Sequence, residues 1–163
     1  MSALPPVAEL LAPFSSWLGR WEGEGRGLWE ADPPFRYRES LTIESVPNRS
    51  LLRLVQRTSV LESGELSHSE TAFLRLLPDQ AVELVLAAPS GYVELHTGRL
   101  RNGVLALQLY TLSASPTARP LRLVKRTLEL DRDLLRTAVG IAVGDEEVTP
   151  HVQARLHRGL PGE

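Results

Sequence analysis

Between Arg20 and Leu156 almost every segment of the sequence alternates apolar and polar residues. In "FRYRESLTIESV", Phe35, Tyr37, Leu41 and Ile43 fall on one face, and Arg36, Arg38, Ser40, Thr42 and Glu44 on the other. Period two is the side-chain repeat of a half-buried strand. The pattern returns in "SLLRLVQRTSV", "LSHSETAFLRLL", "AVELVLA", "YVELHTGRL", "VLALQLYTL", "LRLVKRTLEL", "LLRTAVGIAV" and "VTPHVQARLHR". Turn residues punctuate it, among them Pro47-Asn48, Ser63-Gly64, Pro78-Asp79, Pro89-Ser90-Gly91 and Gly144-Asp145; Asn102-Gly103 is a strong hairpin signal. About ten strands, at the roughly 8–12-residue spacing of sandwiches and barrels, follow from this count. Without helices between strands, sequential turns favour antiparallel neighbours. We therefore expect an all-β fold: a ten-stranded antiparallel up-and-down β-barrel of the lipocalin or fatty-acid-binding kind, closed because closure removes exposed edges. A barrel of that size has room for one small ligand. The one helix expected covers residues 7 to 18, where Val7, Leu10, Leu11, Phe14 and Leu18 recur near helical spacing and Gly19 can end it.

With 163 residues the chain suits a single domain, 1–163, with its core over about residues 10–158. A net charge of −2 gives no basic face for nucleic acid. The absence of cysteine excludes disulfides, thiolate metal sites, covalent haem attachment and cysteine nucleophiles. "MSALPPVAELLAPF" lacks the basic start and apolar run of a signal peptide, and no apolar run reaches the length of a membrane span. The expectation is a cytoplasmic protein with neither nucleic-acid nor membrane partners. No G-x-S-x-G elbow, phosphate loop or H-E-x-x-H spacing is present. The acidic residues read as a solvated face.

The segment "GRWEGEG" is the most informative. Glycine inside a strand loses order and packs nothing, so three glycines in phase with Trp21 require curvature, or close approach of backbone or ligand. On this reading the glycines bend the barrel and Trp21 plugs one end. Gly19, Trp21, Gly23 and Gly25 also match G-x-W-x-G-x-G, the mark of the nitrobindins, and here the chain resembles that family. "PFRYRESLTI", "LSHSETAFLR", "VELVLAAPSG", "SPTARP", "AVG" and "TPHVQARLHR" are similar to successive family segments, in the same order, over about residues 10 to 158.

The resemblance implies a β-barrel that holds a non-covalent ferric haem b. It implies that His151, in "TPHVQARLHR", is the axial iron ligand. Imidazole is a common haem ligand, and with no cysteine and only Met1 the side chains left for the role are histidine and tyrosine. Pro150 stiffens the approach to His151. Strict alternation, however, groups His151 with Gln153, Arg155 and His157. A lumen-facing His151 requires either that the polar face of this strand lines the lumen or that a bulge after Pro150 resets the phase. The resemblance places His68, in the family's H-[RS]-E segment, near the open face of the haem. His96, close to a turn, and His157, near the terminus, read as solvent-facing.

Departures from the family pattern occur at Ala31, where the resemblance implies a threonine at the haem edge, and at Ala88, where it implies a polar residue facing the pocket. Ile141 stands where the family has an apolar residue above the haem. Arginines at the barrel mouth suit haem propionates. The implied activity is isomerisation of peroxynitrite to nitrate, with NO and nitrite as further ligands, in a monomer or a homodimer. The alternative is a non-haem carrier of fatty acid or another small apolar ligand.

Overall fold

The computed structural model describes residues 5–28 and 35–159. Among them ten strands close into one antiparallel barrel, in which each strand pairs with its sequence neighbours and β1 closes on β10. The strands are β1 Gly19–Gly27, β2 Arg36–Ser45, β3 Leu51–Val60, β4 Leu66–Leu76, β5 Ala81–Ala88, β6 Tyr92–Arg101, β7 Val104–Ala114, β8 Leu121–Asp131, β9 Leu134–Val143 and β10 Thr149–Arg158. The turns follow the sequence signals. Asn102 and Gly103 both have positive φ, 50° and 76°, as a two-residue hairpin turn demands. No helix among the described residues is long and apolar enough to cross a membrane.

The expected single helix over 7–18 divides in two. Val7–Leu11 is α-helical and Ala12–Trp17 is a 3₁₀ helix. Pro13 explains the change, because it lacks an amide hydrogen and its ring crowds the preceding turn. The 3₁₀ segment buries Phe14 and Trp17 across one end of the barrel. Trp21 is 0% exposed, and its Nε1 donates to the carbonyl of Trp17 at 2.9 Å. Arg158 lies 4.3 Å from the centroid of the Trp21 ring and donates to the carbonyls of Leu18 and Ser16. Those bonds satisfy backbone groups that the end of a helix leaves bare.

Each motif glycine meets a separate demand. Gly19 enters β1 at φ +125°, a conformation side chains rarely adopt. A Cβ on Gly23 would lie 1.9 Å from the backbone oxygen of Arg155, so β1 and β10 approach too closely there for any other residue. A Cβ on Gly25 would lie 2.2 Å from the buried ring of Tyr37, which occupies that space instead.

At the plugged end, inward leucines, among them Leu52, Leu76, Leu105, Leu135 and Leu156, form the core. The connections β1–β2, β3–β4, β5–β6, β7–β8 and β9–β10 all lie at the other end. There β7 and β8, paired over Val104–Gln108 and Lys125–Glu129, are unpaired beyond Gln108 and Lys125. This second end is the open one.

Candidate functional site

His151 enters the open end through an irregularity in β10. The β9–β10 register runs Thr149↔Ile141 and Pro150↔Gly140, then resumes at Val152↔Val139. His151 is therefore the extra residue of a β-bulge, which resets the phase of the strand. Beyond it, Val152, Ala154 and Leu156 pack inward as alternation requires. Of the two routes by which His151 reaches the lumen, the structure takes the bulge. The carbonyl of His151 accepts a hydrogen bond from the amide of Leu28 at 2.8 Å, which ties the bulge to the end of β1. Burial and the neighbouring charge of His68 hold the His151 imidazole below its ordinary pKa. A neutral imidazole is the form that ligates a metal.

His68 shares that space. It leads the inward face of β4, in phase with Glu70, Ala72 and Leu74, and its Nε2 lies 3.0 Å from Oε1 of Glu70. Ala88 ends β5 against the core at the same end. Ile141 lies on β9 opposite Thr149 and Val124. Ala31 lies outside the described residues. His151, His68, Ala88 and Ile141 thus come from four strands to one end of the barrel, and the motif residues Gly19 and Trp21 lie at the other.

Beneath the mouth a charged layer crosses the lumen. Arg126 donates to both oxygens of Glu70, at 2.8 and 2.9 Å, and to both oxygens of Glu94, at 2.7 and 2.9 Å. Glu94 continues to Nε2 of His96 at 2.8 Å. His96 is 1% exposed, which corrects the expectation of a solvent-facing residue: it is in phase with Tyr92, Glu94 and Leu100 on the inner face of β6. Glu39 is equally buried. One of its oxygens accepts from Thr137 at 3.5 Å, and Oε2 has no partner among the described residues. Burial, helped by the charge of Glu70, pushes Glu39 up to about 7 against the hydrogen bonds of Gln56 and Thr137. Glu39, Gln56, Glu70 and Arg126 line a cavity of about 70 Å³ whose remaining walls are mainly apolar, leucines above all.

This layer overturns the reading of the acidic residues as a solvated face. Its signal was parity. Glu39 falls in phase with Tyr37 and Leu41, Glu70 with Ala72 and Leu74, and Arg126 with Val124 and Leu128. A charge on the apolar phase of a strand points inward, where it must be paired.

A closed ten-stranded barrel, plugged at one end and carrying a neutral imidazole at the other, defines a small-molecule or cofactor-binding barrel. Comparison with known proteins makes the class specific. Residues 10–158 match the family described as the THAP4-like, heme-binding beta-barrel domain. The chain is 36% identical over 156 residues to peroxynitrite isomerase 1 of Rhodococcus jostii, covering 95% of this chain and 86% of that one. It is 32% identical over 162 residues to peroxynitrite isomerase 2 of Mycobacterium bovis, covering 95% and 96%. The crystal structure of Rv2717c from M. tuberculosis superposes with a TM-score of 0.84 at 31% identity, over 97% of this chain and 100% of that chain. An S-type phycobiliprotein lyase from Guillardia theta, at 13% identity and a TM-score of 0.62, shares the fold alone. The chain belongs to the THAP4-like haem-binding β-barrel family, the nitrobindins that its motifs resemble.

Proposed function

We propose that this protein binds ferric haem b without covalent attachment, through His151, and isomerises peroxynitrite to nitrate. The observation that carries the reading is the bulge that delivers a neutral imidazole to the open end beside His68. The similarity over 95% of the chain to proteins named peroxynitrite isomerases supports it. Bound there, the ferric haem supplies a Lewis acid for anionic nitrogen-oxide ligands, nitrite included, and for NO. His151 contributes a nitrogen lone pair and is held in place by Pro150 and by the bond from Leu28 to its carbonyl. His68 offers a hydrogen-bonding nitrogen to a ligand at the open face, and Ile141 and Val139 keep the surroundings apolar. Ala31 and Ala88 offer the haem no hydrogen bond, so His151 carries a larger share of the binding.

The carrier alternative would use the same lumen without iron. Self-association, where it occurs, would use an outward-facing apolar cluster, Phe73, Val85 and Val93 on β4 to β6, and light scattering across concentrations tests it.

The deciding experiment is haem titration followed by stopped-flow decay of peroxynitrite. A histidine-ligated ferric Soret band and a raised nitrate yield in the loaded protein are expected. Decay and nitrate yield no higher than with apoprotein refute the activity, and a colourless protein that retains fatty acid establishes the carrier.

A further inference from the structure

The hydrogen-bond chain below the mouth assigns a task to a residue outside the iron site. His68 Nε2 meets Glu70, Glu70 is clamped by both arms of Arg126, and Arg126 is clamped in turn by Glu94. A carboxylate accepts hydrogen bonds and donates none. An imidazole nitrogen that faces it must therefore carry the hydrogen. We propose that Glu70 is a positioning residue that fixes His68 as the Nε2–H tautomer and so leaves Nδ1 as the ring nitrogen that meets the ligand. The proposal rests on the reading of His68 as a neighbour of the ligand, but its first test does not involve haem.

Three observations support it. Glu70 sits on the inward phase of β4 two residues from His68, so both side chains leave the strand on the same face. Arg126 reaches it across the lumen from β8, 56 residues away, with two parallel bonds, the most directional ion-pair geometry. Burial alone would push Glu70 up, yet the charge of Arg126 and the hydrogen bonds of His68 and Arg126 bring it down to about 2. Glu70 is consequently a carboxylate, and so an acceptor, around neutral pH. The arrangement repeats the histidine–carboxylate pairing that elsewhere sets which imidazole nitrogen does chemistry.

There is a consequence for the ligand. In the neutral ring Nδ1 is an acceptor, so His68 favours a ligand that brings a hydrogen, such as a water or the protonated form of a weak acid. The ring cannot turn Nε2–H to the ligand without leaving Glu70.

Long-range ¹H–¹⁵N correlation of the apoprotein at about pH 8.5, above the ordinary imidazole range, reads the tautomer directly. The wild type should show His68 with a protonated Nε2, a bare Nδ1 and a ring N–H slow enough in exchange to be seen. In Glu70→Leu that N–H resonance should vanish. An Nδ1–H tautomer in the wild type, or an unchanged ring N–H in Glu70→Leu, overturns the proposal. An Nδ1–H tautomer in the wild type refutes the proposal even if the variant fails to fold. In the haem-loaded protein, Glu70→Leu should tighten azide binding by about fivefold to tenfold, as one gained hydrogen bond does, because the released ring can turn an N–H to the anion, and the gain should disappear when His68→Leu is added. Wild-type azide affinity in Glu70→Leu, alongside a change in His68→Leu, also overturns it. Failure of the protein to take up haem would sink the functional reading and leave the tautomer result standing.

Discussion

The two ends of this barrel are built from opposite materials. The plugged end is apolar and closed: Phe14, Trp17 and Trp21 fill it, and Arg158 covers the Trp21 ring and ties down carbonyls. The open end carries two histidines above a layer of charge. Apolar burial is non-directional and scales with area, which suits an end whose task is cohesion. Buried charges add little net stability, since desolvation offsets their attraction, but they fix geometry. The contrast implies that stability resides at the plug and chemistry at the mouth.

Removing the plug should have the largest effect. Trp21→Ala deletes a fully buried indole and leaves the Trp17 carbonyl without its donor, and a loss of roughly 3–5 kcal/mol is expected. Denaturant unfolding measures it. A loss under about 1 kcal/mol would mean that the plug does not carry the stability. Gly23→Val attacks the seam beside it. The backbone oxygen of Arg155 cannot move aside without opening β1 from β10, so about 3 kcal/mol should be lost, with a lower melting temperature and lower haem uptake. An unchanged melting temperature and haem titration would show that the two strands can part freely.

In the charged layer the sign of the effect depends on the residue and on pH. Glu39 has a folded pKa of about 7, above its unfolded value. The stability it contributes is complete below the unfolded pKa and is lost as pH rises through 7. Glu39→Gln should therefore be more stable than the wild type at pH 8, by up to about 3 kcal/mol, with the difference closing toward pH 4. Parallel stability–pH curves would refute this. Glu70 acts in the opposite sense. Its folded pKa is depressed to about 2, so its contribution is present above the unfolded pKa and lost as pH falls toward 2.

The smallest effect on stability is expected at the mouth. His151→Ala, at a half-buried bulge, should shift unfolding by less than about 1 kcal/mol and leave the β-sheet circular dichroism intact. The same change should abolish the histidine-ligated ferric spectrum and the conversion of peroxynitrite. Haem can still enter an apolar lumen without that bond, so the position and shape of the Soret band are the measurement, not colour alone. A wild-type Soret band in His151→Ala would return His151 to an ordinary strand residue.

What the sequence by itself determined is local in origin. Strand identity follows from the side-chain period of two, and the turns from residues that tolerate positive φ, such as Asn102-Gly103; both act within a few residues of chain. The G-x-W-x-G-x-G spacing likewise carried the family and the plug, because Gly23 and Trp21 answer to the strands directly beside them. Even the inward charges were marked one at a time by their phase, although the acidic residues read as a solvated face. Their partners were not. Nothing in the order of residues joins Glu70 to Arg126 across 56 positions, or singles out the orphaned oxygen of Glu39, because these relations exist only once the sheet has closed. The direction of His151 was undecided for a related reason. A bulge depends on how β10 settles against β9, a long-range balance of register against burial, and one extra residue there turns a side chain from the outer face to the lumen.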